Sequence, residues 1–242
     1  MRKILIVSSI LMILAVLSPL IQIKTEIIYN ETFYGEFKKN EVEIKIPAIA
    51  RIDGEEVGVI TTLKVLAIPG DGRTLTNIEN LLFWVDTQHS IRTAKKVASE
   101  ITGMDLSKID IIYTIETNAS LIGGESAGAA ITIATIAVLQ NKDLNESVII
   151  TGTIDRDGNI GKVGGITLKG QAAKEYGAKL YLVPKGQGSI EEYEPIEKCE
   201  KIGAITLCRI EYKAKEINVG EVVGIEVVEV ENIEDALKYF LV

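Results

Sequence analysis

Ser126 stands in LIGGESAGAAITIATIAVL, residues 121–139, between two glycine-bearing turns and directly ahead of a run that is apolar on every side. Gly123, Gly124, Ala127 and Gly128 leave its surroundings almost free of side chains, so another backbone can approach closely. A helix opening at this point offers unpaired N–H groups that suit an oxyanion as well as a phosphate. Gly124, Ala127 and Gly128 are therefore the candidate oxyanion-loop residues. On this pattern Ser126 reads either as the N-cap of a structural helix or as a nucleophile held at a helix start.

A nucleophilic serine needs a base. His89 is the sole histidine, lies far upstream in the first turn of an expected helix and has no evident carboxylate partner, so a Ser-His-Asp arrangement has little support. A neutral lysine can do the same work. In GGITLKGQAAKEYGA, Lys169 shares a helical face with Ile166, Ala172, Ala173 and Tyr176. Lowering a lysine pKa from about 10.4 to about 7 to 8 corresponds to roughly 4 kcal/mol of desolvation and field, after which the amine can take a serine proton at neutral pH. The competing reading is a snorkelling side chain whose stem lies on the apolar face while its head reaches water.

Taken together, ESAGAA around Ser126 and TGTI...GNIGKVGG...LKGQAAKEYGAKLYLVP from Thr151 to Pro184 resemble the proteolytic domain of Lon proteases, a family of Ser-Lys dyad peptidases. Ser126 and Lys169 are 43 positions apart, the family's usual interval, and VVEVENIEDALKYFL resembles its closing strand and helix. The likeness covers approximately residues 55–190 and the last fifteen. It implies an α+β fold of the ribosomal protein S5 domain 2-like kind. It further implies Ser126 as nucleophile, Lys169 as general base and then acid, Thr151 as a hydroxyl orienting the lysine, and a polypeptide substrate with no cofactor. A ring-shaped homo-oligomer is also suggested by the likeness. The chain departs from the family where LIGGE replaces Pro-Lys-Asp-Gly-Pro, which puts Glu125 before the serine and Gly123 in place of the aspartate. No GxxxxGK[ST] stretch occurs in these 242 residues, so the expected activity is ATP-independent cleavage of unfolded or flexible segments.

Two other readings stay open. GHMP-type small-molecule kinases cradle nucleotides with a similar glycine-rich turn, but this chain lacks their second serine and a convincing Mg²⁺ carboxylate. A non-catalytic binding module on the protease fold would be consistent with the altered loop at Glu125.

The elements that must position these residues follow from periodicity. EVEIKIPAIARI and EEVGVITTLKVLAI read as strands joined by Asp-Gly turn chemistry, with another strand over Thr74 to Val85. Behind the cap candidates Asp86 and Thr87, apolar residues recur at helical spacing to Gly103. KIDIIYTIE is a strand, and its edge, Lys108 to Glu116, is the expected docking line for an extended substrate. The run after Ser126 has no polar face and must be a central helix. SVIITGTIDRDGNIGKV reads as a hairpin around Asp157-Gly158. A helix to Tyr176, the strand AKLYLVP, a cysteine-bearing β insertion and a helix capped near Asn232 complete the chain. Helices and strands alternate only in the second half, which indicates an α+β layer rather than a doubly wound sheet.

Residues 1–24 form a separate unit: Arg2 and Lys3 precede an uncharged stretch, Ile4 to Ile23, long enough as a helix to cross the ~30 Å hydrocarbon layer. An uncleaved anchor is expected there, interrupted only by Pro19, followed by a tether over 25–40 and a protease domain over 41–242. The basic pair places that domain outside the cytoplasm. Cys199 and Cys208 can then close a disulfide across a hairpin, whereas two cysteines and one histidine are too few for a metal site. With 26 Lys and Arg against 34 Asp and Glu, the chain has no general affinity for nucleic acid. Asn30, Asn118 and Asn145 head N-x-S/T tripeptides, candidate glycan acceptors.

Overall fold

The computed structural model describes residues 40–77, 85–116, 124–202 and 205–241. Strands β1 (Glu41–Ile52) and β2 (Glu55–Pro69) form a long antiparallel hairpin, Glu41 facing Leu66 at one end and Ile52 facing Glu55 at the other. Its turn is Asp53-Gly54, with φ of 52° and 90°. Two positive φ values give the turn whose twist matches paired strands, and Asp-Gly adopts it readily. Val42, Ile44, Ile46, Ala48 and Ala50 are buried at a period of two along β1, as are Leu63, Val65 and Ala67 in β2.

β4 (Ile109–Glu116) pairs antiparallel with β2 and parallel with the short β3 (Thr74–Thr76), giving the order β1-β2-β4-β3. Two expectations are corrected here. β4 is flanked by β2 along its length and by β3 at Ile111–Tyr113, so the expected docking edge is covered there, while Thr114–Glu116 has no described strand on that side; the sheet's outer strand on the β2 side is β1. Of the strand expected over Thr74 to Val85, β3 forms at Thr74–Thr76, residues 78–84 lie outside the described residues, and Val85 opens helix α1 (Val85–Thr102).

α2 (Gly128–Leu139) is buried at every residue. It lies between the inner faces of β1 and β2 and the helix α1, with the C-terminal helix α5 (Ile233–Phe240) at its side. Thr132 and Thr135 satisfy their hydroxyls on the helix's own carbonyls, Gly128 O at 2.8 Å and Ile131 O at 2.7 Å, so neither leaves a polar group stranded in the core. Asn232 caps α5, its Oδ1 accepting from Asp235 N at 2.9 Å.

A second, wholly parallel sheet has the order β11-β8-β5, with β5 Val148–Ile150, β8 Leu180–Pro184 and β11 Glu226–Val230. Both its faces are buried: Ile150 and Leu182 join the main core, while Ile149, Tyr181 and Val183 pack with Ile166 and Ala173 of α3 (Ile166–Tyr176) and with Val219 and Val223 of α4 (Val219–Val223). Burial on both sides accounts for continuous apolar runs such as VII and LYLV. The hairpin expected from Ser147 onward is smaller than its sequence, because β5 leaves for this sheet and only β6 (Thr153–Ile154) and β7 (Ile160–Gly161) pair across Asp157-Gly158.

β9 (Ser189–Ile202) and β10 (Ile205–Asn218) form a separate two-stranded hairpin in which Cys199 and Cys208 face each other and are disulfide-bonded. The architecture is thus mixed α/β. The anchor expected over 1–24 and the tether expected over 25–40, save residue 40, lie outside the described residues, as do Asn30, Asn118 and Gly123. Among the described residues no helix is long and apolar enough to cross a membrane. Asn145 is held within the fold, its Oδ1 accepting from Ser147 N and Oγ and its Nδ2 donating to Tyr239 O.

Candidate active site

Gly124, at φ 119°, turns the chain into a single 3₁₀ turn, Glu125–Ala127, which runs directly into α2. A side chain at that φ would be strained, which explains the glycine. The Ser126 carbonyl accepts from Gly152 N at 3.0 Å and from Thr151 Oγ1 at 3.4 Å, and Ala129 N returns a bond to Gly152 O at 3.0 Å. Gly128 seals this seam: a Cβ there would lie 2.8 Å from Ile154 N.

Ser126 does not serve as an N-cap. The N-cap positions are Gly124 for the turn and Ala127 for α2, and neither makes a side-chain cap bond. The serine instead lines a pocket of about 140 Å³ together with Gly124, Ala127, Lys169 and residues 46–49 of β1. Gly128 N donates to Glu125 O and Ala129 N to Gly152 O, so these two N–H groups of the helix start are engaged. Gly128 packs closely against Ile154.

Lys169 reaches the same pocket from α3. Its helix docks at two glycines: a Cβ on Gly58 of β2 would meet Leu168 O at 2.0 Å, and Gly165, at φ 68°, holds a left-handed conformation that side chains rarely adopt. Lys169 is 4% exposed, which is not the geometry of a snorkelling side chain. Burial alone pulls its ammonium down to about 8 from the ordinary 10.5. Among the described residues, none hydrogen-bonds or ion-pairs with it. Ile166, Ala172 and Ala173 share its buried face, whereas Tyr176, expected on that stripe, is 44% exposed and lies under the Lys45 ammonium.

Thr151 is fully buried, and its described hydrogen bond goes to the Ser126 carbonyl rather than to the lysine. His89 and Glu125 are exposed and do not line the pocket. Two pocket hydroxyls escaped the sequence reading: Thr61 of β2, which donates to Ile46 O at 3.2 Å, and Thr87 of α1, which looked like a cap. Thr61 was discoverable from the period-two pattern of β2; Thr87 needed the packing of α1 against the serine turn. Cys199 and Cys208 stand apart on β9 and β10, and because they are bonded to each other their sulfurs are not open to a metal.

A serine hydroxyl and a buried amine of low proton affinity, sharing one cavity beside a glycine turn, can perform acyl transfer. Residues 58–202 match the family described as Lon protease (S16) C-terminal proteolytic domain. The chain belongs to this family. Over 155 residues it is 30% identical to the archaeal Lon protease of Methanocaldococcus jannaschii, covering 55% of this chain and 24% of that protein. It is 30% identical to that of Thermoplasma acidophilum over 122 residues, covering 50% and 19%, and 32% identical to that of Thermoplasma volcanium over 98 residues, covering 40% and 15%. The chain thus spans a quarter or less of these relatives. The family is one of serine peptidases, and the architecture of this chain is the mixed α/β fold described above.

Proposed function

We propose that this chain is an ATP-independent serine endopeptidase that cleaves unfolded or flexible polypeptides with Ser126 and Lys169. The observation that carries the reading is their shared cavity, in which Lys169 is dehydrated enough to be about half neutral near pH 8. Lys169 Nζ takes the Ser126 proton as Oγ attacks the scissile carbonyl. The tetrahedral oxyanion is met by N–H groups of the Gly124–Ala127 turn. The lysine then returns the proton to the leaving amine, and water hydrolyses the acyl-serine by the same route reversed. Thr151 acts through the backbone of Ser126, to whose carbonyl its hydroxyl donates. Nothing in this cycle calls on a cofactor or metal.

Residues 4–23 are assigned as a membrane anchor, with the domain on the outer side, in keeping with the basic Arg2 and Lys3 ahead of them and with the disulfide in β9–β10. A homo-oligomer is the expected working form, on the family resemblance. The test is cleavage of a chemically unfolded protein by the full chain without ATP. Activity should rise with pH through about 8 and fall to background in both Ser126→Ala and Lys169→Ala; activity in either variant above a tenth of the parent would reject the dyad.

A further inference from the structure

Among the hydroxyls that line the cavity beside Ser126, that of Thr87 has no evident task. Thr87 is 6% exposed and sits in the first turns of α1. Thr61 already donates to Ile46 O, whereas no described residue hydrogen-bonds Thr87 Oγ1. Among the described residues no fully occluded side-chain oxygen or nitrogen lacks a partner, so this hydroxyl keeps some accessible surface, and Thr87 is one of the residues that line the cavity. The facing walls are apolar, formed by Ile46, Ala48, Ile49 and Ile115. α1 packs on α2 and on the serine turn, while α3 packs on β1 and β2; Thr87 and Lys169 therefore reach the cavity from different elements.

We propose that Thr87 is a specificity-determining residue: its hydroxyl hydrogen-bonds the tip of the substrate side chain that enters this cavity from the residue whose carbonyl Ser126 attacks. The inference rests on the serine peptidase reading above. The side chain selected is compact, with an apolar stem against Ile46 and Ile115 and a hydroxyl or amide tip, as in threonine or asparagine. An apolar isostere of the same shape fills the space equally well but strips water from Thr87 without replacing it. Leaving a buried hydrogen-bonding group unpaired in that way costs on the order of tenfold in affinity or more.

Two matched pairs of otherwise identical peptides decide it, one pair with Thr or Val and the other with Asn or Leu at that residue, cleavage points being read by mass. The full chain should favour the polar member of each pair by about tenfold in kcat/KM. Thr87→Val should bring the ratio towards one or reverse it, and Thr87→Ser should preserve it. Because the readout is a ratio within one variant, a general loss of activity does not imitate the result. Equal rates in the parent, or an unchanged ratio in Thr87→Val, overturn the inference and leave the peptidase reading standing. Failure to cut any peptide, or cutting that survives Ser126→Ala, overturns both.

Discussion

Lys169 gives up stability where it stands. Its proton is bound more tightly in the unfolded chain, at 10.5, than in the folded one, at about 8. Stability is therefore reduced at neutral pH, and it recovers as pH rises from 8 to beyond 10.5. Lys169→Met, which retains the apolar stem, should raise stability at pH 7 by on the order of 1–3 kcal/mol, read from the urea midpoint, while abolishing peptidase activity. Thr151 is the second residue with a separable role. Thr151→Val removes its bond to the Ser126 carbonyl and should lower kcat about tenfold with little change in KM, since the loss falls on alignment of the nucleophile. Steady-state kinetics on one peptide checks this; a rise in KM alone would place Thr151 in substrate binding instead.

At the scale of elements, α3 is held by the absence of side chains on its neighbours. Gly58→Ala puts a methyl group on Leu168 O, the residue next to Lys169, and the backbone must yield. Destabilisation of about 2–3 kcal/mol is expected from such overpacking, together with a loss of activity larger than the loss of folded protein at 25 °C. The same elements mark what was legible in the sequence. Periodicity located β1, β2, β4, α1, α2 and α3, because each buries one face or all faces against the core. The Ser126 turn and the lysine helix could be named from their glycines and from a charge on an apolar stripe. What sequence could not supply was long-range pairing. β4 reads as an edge until β3, three residues long, is found beside it. Thr87 reads as a cap until α1 is seen against the serine turn. SVII looks like half of a hairpin until β5 joins β8 instead. In each case the local pattern was sound, and a distant partner decided its use.

At the scale of the whole molecule, the catalytic body and the β9–β10 hairpin are distinct. The buried core residues come from the body up to Val183 and from Val219 onwards, with Ile190 only partly buried at the hairpin's base. Removing the disulfide by Cys199→Ser and Cys208→Ser should therefore accelerate amide exchange along 191–216 and leave the body's unfolding midpoint within the roughly 0.5 kcal/mol typical of surface changes. A large drop in global stability would mean that the hairpin is part of the body's cooperative unit. Acyl transfer by this molecule requires one activated hydroxyl within the fold, and its most direct test is the rate at which a serine-directed electrophile modifies the full chain, with the adduct located by peptide mass. It should form on Ser126 at a rate that climbs with pH through about 8 and should disappear in Lys169→Met. Labelling elsewhere, or labelling of Ser126 that is indifferent to Lys169, would contradict it.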